Sequence, residues 1–332
     1  MDEHRLIRHP YGDHVGYARL IDDAYAAWDL LWRDLGQRFY AATGTLALTG
    51  NGAEWAERSA AALATIGKPM TELPVAELRH RFPQIEAQGV ERAFWMDSGG
   101  VLFAQDIVIA LVRYLAGQPH VRLHPHTQVR SVDLEMGRVV TEAGAVHTAD
   151  VVIVAAGAWA DRLLPGFNQR LIPSRQIVIY FDLPAADRIA WAKGPMIIEK
   201  TGDVGLYLVP PMEGRGLKVG DHEFSRSGDP TDERAASEDE IRPLLDRCRS
   251  LLRGFDRWRT DRLKVCFYTV TDDERFVVEK PAARGWVMSP CSGHGFKFGA
   301  LMGLELARTL ASGRDSAVHA RWAAGLEATA PT

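Results

Sequence analysis

Disulfide and metal chemistry have little material in this chain. Among 332 residues there are three cysteines, Cys248, Cys266 and Cys291. No two of them stand at a CxxC or other metal-ligand spacing, so neither a disulfide framework nor a metal site is expected. Each cysteine reads first as a small buried hydrophobe. A positive excess is also lacking: a net charge of -4 offers no footprint for nucleic acid. Wholly apolar runs are short, the longest lying around Val151–Ala156, against the roughly twenty residues that a membrane span needs. With no signal-peptide pattern in view, a cytoplasmic protein with no membrane partner is the expectation.

What is present fits a globular enzyme. Hydrophobic residues make 46% and charged residues 25% of the chain, close to the globular average, and a chain of this length buries roughly three-quarters of its unfolded surface. Tyr17, Leu20, Ile21, Ala24, Trp28 and Leu31 recur at helical spacing between His14 and Gln37, predicting an amphipathic helix. A strand (44–50), two helices (52–67 and 75–83, the second stopped by Pro83), and a strand, glycine turn and helix ending near Ala116 follow. Three short strand patterns then lead into DVVIVAAG and a helix at 159–164. An unrelieved apolar strand such as 151–155 is expected in a parallel sheet covered on both faces. From Ile172 the pattern changes to QIVIYFDL, MIIEK, GLYLVPP and LKVGDHEF, a charged helix over 237–255 and the strand LKVCFYTV. This predicts an antiparallel layer typical of a substrate domain. The chain closes with GWVMSP, the turn CSGHGFKFG (291–299) and a helix to about Ser312.

That turn spaces its glycines G-x-G-x-x-x-G, one residue away from the dinucleotide fingerprint and far from the usual place for it. Lys297 stands near a helix N-terminus, which already carries roughly half a positive charge. Either the glycines only permit a tight turn, or an anion is bound there. In LKVCFYTV, alternation puts Val265, Phe267 and Thr269 on one face and Cys266, Tyr268 and Val270 on the other. Cys266 and Tyr268 are then a core pair or the lining of a site. Lys218 and His222, four apart on a strand, share a face that turns to solvent or to a site. Arg5, Arg8 and His9 read as a solvated, charged start.

Together these stretches have a joint signature. KVCFYTVTDDERF followed by SGHGFKFG, preceded by GLKVGDHEF and ADVVIVAAGAWADRLL, strongly resembles the monomeric sarcosine oxidase family of FAD-dependent amine oxidases, D-amino-acid-oxidase-like proteins that include N-methyltryptophan and pipecolate oxidases. The resemblance runs from about Arg5 to the end. It implies an α/β fold in which a Rossmann-like FAD-binding domain (1–40, 101–170 and 273–332) is interleaved with an α+β substrate domain built on an antiparallel sheet (41–100 and 171–272). By resemblance, Cys266 is the covalent FAD anchor, through a thioether to the flavin 8α-methyl. Gly293, His294, Gly295, Phe296 and Lys297 run along the flavin ring, with Arg5 close to it. Arg8 and Lys297 meet the substrate carboxylate. Lys218 promotes the reaction of reduced flavin with oxygen, and His222 and Tyr268 line the substrate pocket. Val129 contacts adenine through its backbone, and Gly157 forms a second FAD-contacting turn. The implied reaction is oxidation of a secondary-amine or N-methyl amino acid to an imine, which hydrolyses to aldehyde and amine, with oxygen as acceptor and hydrogen peroxide as product. The family name further implies a monomer.

The sequence departs from the family at two places. The family's opening strand, GxGxxG turn, helix and acidic strand end are not in this sequence, so the FAD-binding domain is expected to be N-terminally incomplete, the natural protein longer and Met1 an internal or misassigned start. Cys291 stands where relatives often carry an aromatic residue, which implies a cavity or an altered substrate fit near the flavin. Two other functions stay open on the residues alone: a flavin dehydrogenase passing electrons to a partner, and a truncated, non-catalytic remnant. The retention of Cys266, Lys218, Lys297 and Arg8 argues against decay, and Lys218 argues against the dehydrogenase.

Overall fold

The computed structural model describes residues 2–50, 52, 54–201, 205–232 and 234–327. Its largest element is an eight-stranded sheet in the order Arg259–Val270, Ile172–Asp182, Leu217–Asp221, Leu206–Val209, Met196–Lys200, Thr45–Thr49, Arg92–Met96, Thr71–Leu73. Neighbours run antiparallel except Met196–Lys200 and Thr45–Thr49, which are parallel. The period-two alternation of a strand sorts this sheet's side chains. Ile177, Ile179 and Phe181, with Leu206, Leu208, Leu217, Val219 and Val265, face one core together with Leu244, Cys248 and Leu251 of the helix Glu238–Leu251. That helix opens on a capping box: the Ser237 hydroxyl accepts from the Glu240 backbone N–H, and the Glu240 carboxylate accepts from the Ser237 N–H, which satisfies two donors that the first turn leaves without partners. The intervening residues Tyr180, Tyr207 and Lys218 are thereby turned to the opposite face, where the site lies.

A second core forms around the helix Val15–Leu35, whose buried stripe of Tyr17, Leu20, Ile21, Ala24 and Trp28 packs with Val101, Leu102, Phe298, Leu301 and Met302. The strand Arg5–Ile7 pairs antiparallel with Gly100–Leu102, which also pairs with Tyr40–Ala42. The helices Ala104–Ala116 and Gly299–Ser312 fall where periodicity places them; the strand Val277–Ala282 and the helix Ser316–Ala323 were not anticipated. Two sequence expectations change. Val152–Val154 does pair in parallel, with Gly285–Ser289, but its sheet has three strands and is not covered on both faces: Val152 and Val154 are buried, while Ile153 is 43% exposed. The charged start is not a solvated end either. His9 is buried, hydrogen-bonded to Asp22 at 3.0 Å and to Ser98 at 2.8 Å, because pairing of the preceding strand carries this segment inside. No helix among the described residues is long and apolar enough to cross a membrane.

Leu208 is fully buried in the first core. Leu208→Ala is expected to lower the unfolding free energy by about 2–5 kcal/mol, read from urea denaturation, through lost burial and the cavity left behind.

Candidate active site

The turn that the sequence singles out is built by its backbone. Ser292 donates its N–H to the Thr269 carbonyl at 2.8 Å, and Thr271 donates its N–H to the Ser292 hydroxyl at 3.3 Å, tying the turn to the end of the strand Arg259–Val270. Gly293 follows at φ +74°, a left-handed conformation that favours glycine. Gly295 is needed for space: a Cβ there would lie 1.6 Å from the Pro290 carbonyl oxygen. A short 3-10 turn, Phe296–Phe298, then enters the helix Gly299–Ser312. Behind it, the Trp28 indole N–H donates to the Lys297 carbonyl at 2.7 Å and the Tyr17 hydroxyl accepts from the Phe276 N–H at 2.9 Å, so the long helix braces the turn.

This turn closes one wall of a cavity of about 190 Å³. Arg5 and Arg8 come from the first strand and the loop after it, Lys200, Tyr207, Lys218, His222 and Tyr268 from the large sheet and its ends, and Gly293, His294, Phe296 and Lys297 from the turn. The structure therefore brings together Arg5, Arg8, Lys218, His222, Tyr268 and the Gly293–Lys297 residues that lie on it. Four predicted residues are not on its wall: Gly295, which packs against the Pro290 carbonyl within the turn, and Cys266, Val129 and Gly157. Cys266 shares the face of Tyr268 and lies within electrostatic reach of Tyr268 and Lys218, but does not line the cavity. Val129, at the start of the strand Val129–Asp133, and Gly157, at φ +54° opening a 3-10 turn, lie elsewhere. Sequence reasoning missed Asp2, Tyr11, Trp55, Lys200, Tyr207, Asp221 and Glu274. Only Tyr11, inside RLIRHPYG, and Asp221, between Lys218 and His222, had a local signal.

Positive charge dominates the wall. Lys218 is 1% exposed and donates to the Asp2 carboxylate at 2.5 Å and the His4 carbonyl at 3.0 Å; Asp2 also pairs with Arg5. Burial first, then the Arg5 charge, pulls Lys218 well below the usual lysine pKa, and Asp2 is the counter-ion that a buried ammonium requires. Lys297, also buried, has only neutral acceptors among the described residues: its Nζ donates to the Tyr11 hydroxyl at 2.9 Å and the His294 carbonyl at 2.8 Å. Burial, then Arg8 and Arg5, lowers its pKa well below normal. Arg8 lies against the rings of Tyr11 and Trp55, at 4.9 and 5.2 Å, and its buried Nη1 has no hydrogen-bond partner among the described residues. His222 is held neutral, its pKa pushed down to about 3 by burial and by the charges of Lys200 and Arg8. A hydrogen bond from its ring to the Leu206 backbone leaves Nε2 without a partner. Tyr207 and Tyr268 are hydrogen-bonded to each other, and burial raises the pKa of both.

Such a wall can bind a small anion, offer a neutral imidazole nitrogen to a proton, and hold positive charge where negative charge develops. Residues 4–309 match the family model DAO, described as FAD dependent oxidoreductase. The chain belongs to the FAD-dependent oxidoreductases. It is 30% identical over 323 residues to the monomeric sarcosine oxidase of Bacillus sp. (strain B-0618), covering 93% of this chain and 81% of that protein. It is 26% identical over 331 residues to the N-methyl-L-tryptophan oxidase of Yersinia pestis (strain Pestoides F), with 95% and 85% covered. Among solved structures, glycine oxidase from Geobacillus kaustophilus superposes with a TM-score of 0.76 at 21% identity over 94% of this chain and 84% of that one, and L-proline dehydrogenase from P. horikoshii with 0.77 at 18% over 96% and 85%. At these identities the structural matches establish the fold alone, and the expected α/β FAD-dependent oxidase fold is the one found. The cavity residues fit the redox end of an FAD: Arg5, Lys218 and Lys297 supply the positive charge that a reduced flavin favours, Arg8 and His222 present orphaned polar atoms, and Gly293 offers a backbone face with no side chain.

Asp221 gives this electrostatic picture a measurable consequence. Burial raises its pKa to about 6, above the roughly 3.9 of an unfolded aspartate. The folded state thus binds the proton more tightly, stability falls as pH rises from about 4 to 6, and the full penalty is present above pH 6. Asp221→Asn, which keeps an acceptor for the Glu223 N–H, is expected to raise the unfolding free energy at pH 7.5 by about 1–3 kcal/mol, with roughly half that gain at pH 5. Urea denaturation of both proteins at the two pH values measures it; an equal gain at both would mean that the proton is not involved.

Proposed function

We propose that this protein is an FAD-dependent oxidase of a small secondary-amine or N-methyl amino acid. The observation that carries the reading is the pair of cations, partly buried Arg8 and buried Lys297, that face a small cavity and make no ion pair among the described residues, next to a neutral His222. In this reading the substrate carboxylate binds between Arg8 and Lys297 and supplies the counter-ion both lack. Fixing it orients the amine-bearing carbon. The His222 Nε2, free and neutral, accepts a hydrogen bond or a proton from the substrate nitrogen, which must be uncharged to be oxidised. Lys218 holds a fixed positive charge on the sheet-side wall, suited to stabilising the negative charge that forms when oxygen is reduced. The Tyr207–Tyr268 pair and Phe296 exclude water from the reacting carbon. Bound FAD supplies the two-electron acceptor, and its reoxidation by oxygen yields hydrogen peroxide.

The same reading makes Cys266 the covalent anchor: it is a free thiol, incompletely buried and within electrostatic reach of Lys218, as a nucleophile in a thioether-forming step must be accessible. Val129 and Gly157 contact FAD away from the cavity, residues 41–100 and 171–272 form the substrate domain, and the remaining segments form the FAD-binding domain. A monomer in the cytoplasm is part of this proposal. The sarcosine and N-methyl-L-tryptophan named for the relatives define the class of substrate, a secondary amine next to a carboxylate.

Purified protein with FAD bound is expected to release peroxide from at least one member of a panel of N-methyl amino acids, and Arg8→Met to lower kcat/KM by about 100-fold through loss of a charge-assisted pair. Reduction of an artificial acceptor without peroxide would overturn the oxidase reading in favour of a dehydrogenase. Acid-precipitated protein is expected to stay yellow, and Cys266→Ala to give a colourless pellet. A colourless wild-type pellet would exclude the covalent link.

A further inference from the structure

One cation of the cavity has no task in the proposed reaction. Lys200 ends the strand Met196–Lys200 and lines the cavity. Among the described residues it has no carboxylate within 4.0 Å and makes no hydrogen bond through its ammonium group. Its Nζ lies 5.8 Å from the centre of the Trp55 ring, and Arg8 lies 5.2 Å from that ring, so both cations border one indole. On its other side Lys200 adjoins His222: a Cβ at Gly205 would touch the Lys200 Cγ at 3.3 Å and the His222 Cδ2 at 3.6 Å. Neither of the acids on the wall, Asp221 and Glu274, forms an ion pair with it. Lys200 is partly buried, and burial followed by the Arg8 charge works against its ammonium form. Glu274 and Glu223 act on its charge only from further off, so among the described residues Lys200 has no ion-paired anion.

We infer that the substrate carries a second anionic group, and that the preferred class is an N-alkyl amino dicarboxylate whose distal carboxylate is bound by Lys200. The inference rests on the proposed function in that the first carboxylate occupies Arg8 and Lys297, which leaves Lys200 as the separate anchor across the Trp55 ring. Trp55 and Ile198 provide the apolar contact for the methylene chain between the two charged ends.

Equilibrium binding of acids that cannot be oxidised tests this on the holoenzyme. By calorimetry, glutarate is expected to bind at least about 10-fold more tightly than butyrate, the gain of one charge-assisted pair in a partly buried site. Lys200→Met is expected to bring that ratio close to one, and Lys200→Arg to retain it. Equal binding of glutarate and butyrate to the wild type, or a ratio that persists in Lys200→Met, overturns the assignment. The same preference is expected in turnover, as a higher kcat/KM for N-methyl-L-glutamate than for N-methyl-L-alanine. Turnover of N-methyl-L-alanine with no preference in either assay would sink this inference and leave the oxidase intact. Tight, Lys200-dependent glutarate binding with no turnover of any N-methyl amino acid would do the reverse.

Discussion

Burial of cationic side chains around one small cavity, with too few acids to neutralise them, is the constraint on which this site depends. An unpaired charge in a low-dielectric interior is costly, and proteins meet that cost with a partner or by shifting the pKa. Elsewhere in this molecule the partner is present. The buried carboxylate of Glu199 is held by Arg247 and Thr201, and that of Glu305 by Arg308 and Arg314. At the cavity the pattern breaks: Lys218 and Arg5 share Asp2, but Lys297 rests on neutral oxygens and Arg8 on aromatic faces. Perturbed, incompletely paired groups gathered in one cleft are a mark of function.

The fold meets this constraint by dividing labour between the two faces of one sheet. Leu206, Leu208, Leu217 and Val219 face the helix Glu238–Leu251 and fix the strands in register. Their neighbours Tyr207 and Lys218 are carried to the other face with no freedom to choose another position. The turn at 291–299 is fixed just as tightly, by the carbonyl of Pro290 against Gly295 and by Ser292 against Thr269. Rigid positioning matters because a cation that could swing into solvent would lose its strained, anion-seeking character.

The neutral groups are part of the same design. His222 cannot compete with the cations for an anion, because they hold it uncharged, and Tyr11 accepts from Lys297 while packing under Arg8. The wall therefore combines fixed positive charge with an imidazole acceptor and phenol hydroxyls, a combination suited to an amino acid whose carboxylate stays charged while its amine must not.

Much of this was legible in the residues themselves. The long helix, the strands from Ile172 to Val270 and the SGHGFKFG turn follow from local periodicity and glycine spacing, and motif order pointed to an FAD-dependent amine oxidase family. Alternation alone placed Lys218 with His222 and Cys266 with Tyr268 on shared faces. It could not say whether those faces met water or a cavity, because burial depends on what packs opposite. Nor could it find that Lys200 meets Trp55, or that Asp2 meets Lys218, since these residues lie far apart in sequence and only long-range pairing of the strands brings them together. The amino-acid order determined which local elements form and which chemistry they carry. Long-range strand pairing decided which charges share one low-dielectric space, since electrostatic cost is set by distance and desolvation rather than by position along the chain.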